Sequence, residues 1–222
     1  MTRIEMMPKL LDLFCGAGGC SMGYHRAGFE VVGVDINPQP RYPFEFVQAD
    51  AMEFPLDGFD WIHASPPCQG YSISRNNGCH RDAPLLIDEI RDRLEQSGIG
   101  YVIENVPGAP LRFPFELCGA SFGLGIGEFD LARHRGFECS TLLLAPPCQH
   151  RRGQTIGVYG NGTNSWHRAK FGRCITDAEK REAMGIDWMN RKELNQAIPP
   201  AYTDWIGRQL LTQLTTSFVF DR

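Results

Sequence analysis

Five short apolar runs set the first half of the chain: LLDLF (10–14), VVGVDI (31–36), FEFVQAD (44–50), FDWIHAS (59–65) and GYVIENV (100–106). None is long enough for a buried helix, and turn-forming or acidic residues bound them, as for strands covered on both faces. Helical patterns lie between them, over residues 20–27 and in LLIDEIRDRLEQS (85–97). This alternation predicts an α/β fold on a mostly parallel sheet. One crossover is anomalous: residues 37–43 read NPQPRYP, and its prolines forbid a helix. The expectation is a missing crossover helix and an open wall beside the sheet. After Phe137 the chain is rich in glycine, asparagine, proline and arginine, and GVYGNGTNSW (157–166) reads as loop. Thr176–Glu179 and Asn190–Glu193 have capping-box spacing, and Pro199 and Pro200 pre-set a final helix over 201–214.

The 222 residues suffice for one domain with a sizeable core. No run of about 18 apolar residues is present, which argues against a helical membrane span. The first residues carry no secretory cleavage pattern. The eight cysteines lack the spacing of a small disulfide scaffold, so reduced thiols in a cytosol are expected. A formal net charge of −4 does not advertise nucleic-acid binding. The charge is uneven, however. Residues 131–175 hold Arg133, Arg135, Arg151, Arg152, Arg168, Lys170 and Arg173 against Glu138 alone, a net of +6. A basic patch on an acidic body suits a phosphate backbone, though a solvated loop would look the same.

The candidate sites fall at strand ends. DLFCGAGG (12–19) follows one strand and precedes a helix, so its glycines let a ligand approach the backbone. Asp35 ends the second strand and Asp50 the third; with the glycine turn they suggest an adenosine-containing cofactor. Pro-Pro-Cys-Gln occurs twice, at 66–69 and 146–149. In the first copy, the prolines stiffen the exit from the fourth strand and present Cys68 at the ligand-binding edge. Glu104 ends the fifth strand at that edge, where a carboxyl beside a thiol can donate a proton or anchor a substrate. Arg133 and Arg135 follow at strand spacing and suit carboxylates or phosphates.

In this order, DLFCGAGG, SPPCQGYS, VIENVPG, LARHR and QAIPPAYTDWIG resemble the motif series of the DNA cytosine-5 methyltransferases. The resemblance spans most of the chain except about 140–175. It implies a Rossmann-like mixed sheet that binds S-adenosylmethionine, and double-stranded DNA as the partner. It implies a cofactor site of Phe14, Gly16, Ala17, Gly18, Gly19, Asp35, Ile36, Asp50 and Ala51, with Asp35 on the ribose and Asp50 on the adenine amine. Cys68 becomes the nucleophile and Glu104 the group on the cytosine edge. Arg133 and Arg135 become the supports of cytosine O2 and the nearby backbone. Outside the resemblance, the basic excess itself makes Arg151, Arg152, Arg168, Lys170 and Arg173 candidate DNA contacts. The implied division is a cofactor-binding core over 1–136, a reduced target-recognition lobe over 137–175 and core-completing helices over 176–222. The implied location is a bacterial or phage-infected cytosol.

The motif order assigns the chemistry to the first Pro-Pro-Cys-Gln copy and leaves Cys148 to structure or recognition. The final motif departs from the family, reading IPPAYT where many relatives carry a Gly-Asn-Ser/Thr-like turn. Two rival readings stand beside this one: the same chemistry on RNA, and an idle nucleic-acid-binding module that keeps the fold. Cys139, Cys148, His150 and Cys174 also share the polar stretch, but no paired C-x-x-C marks zinc, and no metal is expected.

Overall fold

The computed structural model describes residues 7–72, 82–151, 153–159 and 172–220. Its centre is a seven-stranded sheet in the order β3-β2-β1-β4-β5-β9-β6. Strands β1 (Lys9–Leu13), β2 (Glu30–Asp35), β3 (Glu45–Gln48), β4 (Trp61–Ala64) and β5 (Gly100–Asn105) are parallel. β9 (Arg135–Cys139) runs antiparallel to β5, and β6 (Phe115–Leu117) antiparallel to β9. The sheet order reverses between β1 and β4, the place where open α/β sheets bind ligands. A second, three-stranded sheet joins β7 (Gly125–Ile126), β8 (Phe129–Leu131) and β10 (Thr155–Ile156).

Strand alternation divides the core between two faces. Leu10 and Val31 pack with α1 (Gly19–Ala27) and the long C-terminal helix α5 (Pro200–Phe220), through Tyr24, Tyr202, Ile206 and Leu210. Leu11, Leu13 and Val34 face the other way, onto Ile90 and Leu94 of α2 (Ile87–Ser97). Both capping boxes form, at Thr176/Glu179 opening α3 (Asp177–Met184) and Asn190/Glu193 opening α4 (Arg191–Gln196).

The structure differs from the sequence-based expectation in two places. No helix covers 37–43, as the prolines require, and Tyr42 takes up the space beside β2 in its place. Tyr42 folds back over β2: a Cβ on Gly33 would sit 2.2 Å from the Tyr42 ring. The Tyr42 hydroxyl donates to Ser21 Oγ at 2.8 Å, which ties the proline segment to α1. The second difference is the boundary at 136/137, which falls inside β9. Residues 137–139 belong to the main sheet because β9 pairs with both β5 and β6.

Candidate active site

The turn after β1 holds Phe14, Gly16 and Gly18 at positive φ before α1 begins at Gly19. Gly19 is required by close approach: a Cβ there would lie 2.4 Å from the Ile198 carbonyl oxygen. The segment leading into α5 thus lies directly against the glycine turn. The Trp188 indole donates to the Ala17 carbonyl at 2.8 Å and fixes the turn from the same side. Over Gly16 no heavy atom lies within 4 Å of where a side chain would start. Asp35, at the end of β2, accepts the Gly16 amide at 3.0 Å on one carboxylate oxygen and the Asn37 amide at 2.9 Å on the other. Its neighbour Ile36 is 63% exposed, an apolar side chain bared at the rim. Asp50 accepts the Met52 amide at 2.8 Å, and the buried Ala51 is held through its carbonyl by Arg93 of α2 at 3.1 Å. The open space over Gly16, the bared Ile36 and two carboxylates at one sheet edge fit an adenosine-bearing cofactor.

Cys68 leaves β4 in a loop that the buried Asn105 side chain holds, donating to the Pro66 carbonyl at 3.0 Å. Cys68 is half-buried, and Glu104 and Arg135 are buried. The Arg135 guanidinium meets the Glu104 carboxylate at 3.1 Å. Burial raises the Cys68 thiol above its ordinary value, and the Glu104 charge adds to this; Arg135 and Arg133 oppose it. Burial likewise raises Glu104, against Arg135, a hydrogen bond from Ser65 and Arg133. Cys68, Glu104 and Arg135 therefore form one electrostatic unit.

Behind Glu104 runs a chain that motif reading missed. His63 bonds Ser65 Oγ through Nε2 and the Tyr24 hydroxyl through Nδ1, each at 2.9 Å. Burial lowers the His63 pKa to about 3, so the ring is neutral, with one donor and one acceptor nitrogen. An ionised Glu104 requires Ser65 to donate to it. Ser65 then accepts from Nε2–H, and Nδ1 accepts from Tyr24. The only sequence signal was a histidine inside the otherwise apolar run WIHA.

Arg133 takes a different place from its expected one. It is fully buried, and its guanidinium donates to the carbonyls of Val158 and, at 3.0 Å, Asn195. It clamps the segment before β9 to the chain after β10 and to the C-terminal end of α4, and it is not open to a ligand. Burial and Arg135 lower its pKa to about 9, which leaves it charged at neutral pH.

The basic stretch is partly neutralised by acids that lie outside its sequence window. Arg151 pairs with Asp130 at 3.4 Å, and Arg173 pairs with Glu179 at 2.6 Å. Glu138, the acid inside the window, is turned inward onto the buried Arg91 at 2.7 Å. Arg152, Arg168 and Lys170 lie outside the described residues.

The architecture is a Rossmann-like methyltransferase fold. Its fold matches, at a TM-score of 0.61 and 16% identity, a crystal structure described as a DNA modification methyltransferase encoded within an E. coli prophage. That match covers 94% of this chain and 99% of the other. Residues 8–110 match the family model of the C-5 cytosine-specific DNA methylases, a span that includes Cys68 and Glu104. Over that span the chain is similar to the cytosine-5 DNA methyltransferases. Two type II methyltransferases of Herpetosiphon aurantiacus are similar over 119 residues. M.HgiGI is 29% identical, over 46% of this chain and 94% of its own length. M.HgiDI is 31% identical, over 46% of this chain and 38% of its own length. Members of that family use S-adenosylmethionine as methyl donor, and the open approach to Gly16 leaves room for a cofactor. Among the described residues, no helix is long and apolar enough to cross a membrane.

Proposed function

We propose that this protein methylates carbon 5 of cytosine in double-stranded DNA, with Cys68 as a covalent nucleophile. The observation that carries the reading is the buried Arg135–Glu104 pair beside a thiol whose ionisation both residues control. S-adenosylmethionine supplies an electrophilic methyl group when bound. Carbon 5 of cytosine is a poor nucleophile within an aromatic ring. Attack of the Cys68 thiolate on carbon 6 forms a C–S bond and turns carbon 5 into an enamine carbon. Glu104, bonded at N3 and the exocyclic amine, stabilises the charge that develops. After transfer, a base removes the carbon-5 proton and the C–S bond breaks to release Cys68.

Electrostatics times this attack. Burial first, and then the ionised Glu104, hold the Cys68 thiol above its ordinary value, with Arg135 opposing them. A base edge that shares a proton with Glu104 removes that repulsion, while Arg135 still favours the thiolate. The ring face is reachable only when the base leaves the helical stack, so the target is flipped. Asn105 positions the nucleophile, and Arg133 positions the segment that carries Arg135.

In the cofactor site, Asp35 holds the ribose hydroxyls and Asp50 the adenine amine. Phe14 and the turn from Gly16 through Ala17 and Gly18 to Gly19 cradle the rest, between Ile36 and Ala51. Loss of charge-assisted hydrogen bonds worth about 1.5–3 kcal/mol should weaken S-adenosylmethionine roughly ten- to hundredfold in Asp35→Ala. Titration calorimetry giving an unchanged affinity would refute the assignment. Basic residues between β9 and α3 supply the DNA contacts; Arg151 and Arg173, both exposed, serve by exchanging acidic partners for phosphates.

Bisulfite sequencing of DNA and RNA from cells expressing the protein tests the reaction. The expected result is protected cytosines in DNA, in one recurring context. Protection confined to RNA would replace the DNA reading with the RNA one. Protection in neither would leave a binding module.

A further inference from the structure

Four ligand-bearing side chains converge outside the pocket. The sulfurs of Cys118 and Cys148 and one ring nitrogen each of His134 and His150 all lie within 4.8 Å of one another. Cys148 Sγ is 2.8 Å from His150 Nδ1 and 3.3 Å from His134 Nε2, and Cys118 Sγ is 3.7 Å from His150 Nδ1. In a tetrahedral zinc site, with Zn–S near 2.3 Å and Zn–N near 2.0–2.1 Å, neighbouring ligand atoms stand roughly 3.3–3.8 Å apart. The two imidazole planes are inclined at 76°, so the rings approach a common point from different directions. Cys118 follows β6, His134 lies between β8 and β9, and Cys148 and His150 lie in the irregular chain beyond β9.

From this convergence we infer that the protein binds one structural Zn²⁺ through Cys118, His134, Cys148 and His150. Two thiolates and two imidazoles suit zinc over harder cations, and four protein ligands leave no open position for chemistry. The sequence set Cys139, Cys148, His150 and Cys174 in one polar stretch without metal spacing; the fold brings Cys148 and His150 instead to Cys118 and His134. Cys139 is carried away because it ends β9 and packs against the core. The second Pro-Pro-Cys-Gln thereby gains a role, its prolines stiffening the loop that delivers Cys148.

The site would pin the irregular loop onto the segment that carries the two arginines. His134 lies between them, and its carbonyl accepts from Arg135 at 3.1 Å. The proposal stands on ligand geometry and is independent of the methyl-transfer reading.

Metal analysis of protein purified from zinc-replete medium tests it, with Co²⁺ reconstitution as a spectroscopic probe. The expected result is about one zinc per chain. The Co²⁺ form should show thiolate charge-transfer bands and the intense d–d absorption of a tetrahedral site. Cys139→Ser and Cys174→Ser should keep the metal. Cys148→Ser should weaken Co²⁺ binding by about a hundredfold or more. Cys148 is exposed on a loop, so this variant stays informative if Cys118→Ser fails to fold. Folded wild-type protein that takes up neither zinc nor Co²⁺ would overturn the proposal. So would a Cys148→Ser variant with wild-type metal content, or a Cys118–Cys148 disulfide in place of the metal.

Discussion

Cys68→Ser should abolish methyl transfer, lowering the rate by roughly four orders of magnitude or more, the scale on which loss of a covalent nucleophile acts in other enzymes. A serine hydroxyl in this pocket has no base to ionise it, since His63 is neutral and bonded on both ring nitrogens. Fold and cofactor binding should persist, because Cys68 is half-buried and its loop is held by Asn105 through the backbone of Pro66. Calorimetry with S-adenosylmethionine should therefore give the wild-type affinity while a methyl-transfer assay gives none. A Cys68→Ser protein that retains a tenth of the wild-type rate would remove the covalent step from the account.

Arg135→Met should cost stability as well as activity. The substitution leaves Glu104 buried without its partner, an effect worth about 3–5 kcal/mol. For a chain of this size the loss corresponds to a fall in melting temperature on the order of 10 °C. The pH dependence has a definite sign. Burial already holds Glu104 above the ordinary carboxylate value, and Arg135 holds it down. Without Arg135 it rises further, so the folded variant binds a proton that the unfolded chain releases. The affected stability is fully present below the unfolded value near 4.3 and is lost as pH rises through the folded one. The gap in melting temperature between wild type and variant should therefore widen as pH rises above the ordinary carboxylate range. A gap constant across that range would mean that Arg135 acts through packing alone.

Much of this architecture is legible in the sequence. β1 to β5 are apolar runs, and the candidate residues Asp35, Cys68 and Glu104 fall at or just beyond the C-terminal ends of three of them. Both capping boxes form because their spacing is itself the structure. The five later strands are harder to read. Four of them, β6, β7, β8 and β10, are only two or three residues long, so partners rather than pattern define them. What takes up the space beside β2 depended on where one side chain, Tyr42, folds, which prolines alone do not say. The same holds for charge. A count along residues 131–175 could not see Asp130 and Glu179, which lie outside the window and neutralise Arg151 and Arg173 in space. Arg133 and Arg135 look alike in sequence, yet one is sealed among backbone carbonyls and the other faces Glu104. The Cys118–His134–Cys148–His150 cluster was invisible because its ligands come from three separate segments.

The central claim is that Cys68 forms a covalent bond to carbon 6 of cytosine before the methyl group is released. DNA containing 5-fluorocytosine tests it most directly, since fluorine cannot leave as a proton does and elimination stalls. Incubation with S-adenosylmethionine, followed by digestion and mass spectrometry of the cross-linked peptide, should place the modified base on the peptide containing Cys68. The adduct should require the cofactor and should survive in Cys148→Ser. An adduct on Cys148, or continued methylation of ordinary DNA with no adduct on Cys68, would contradict the account.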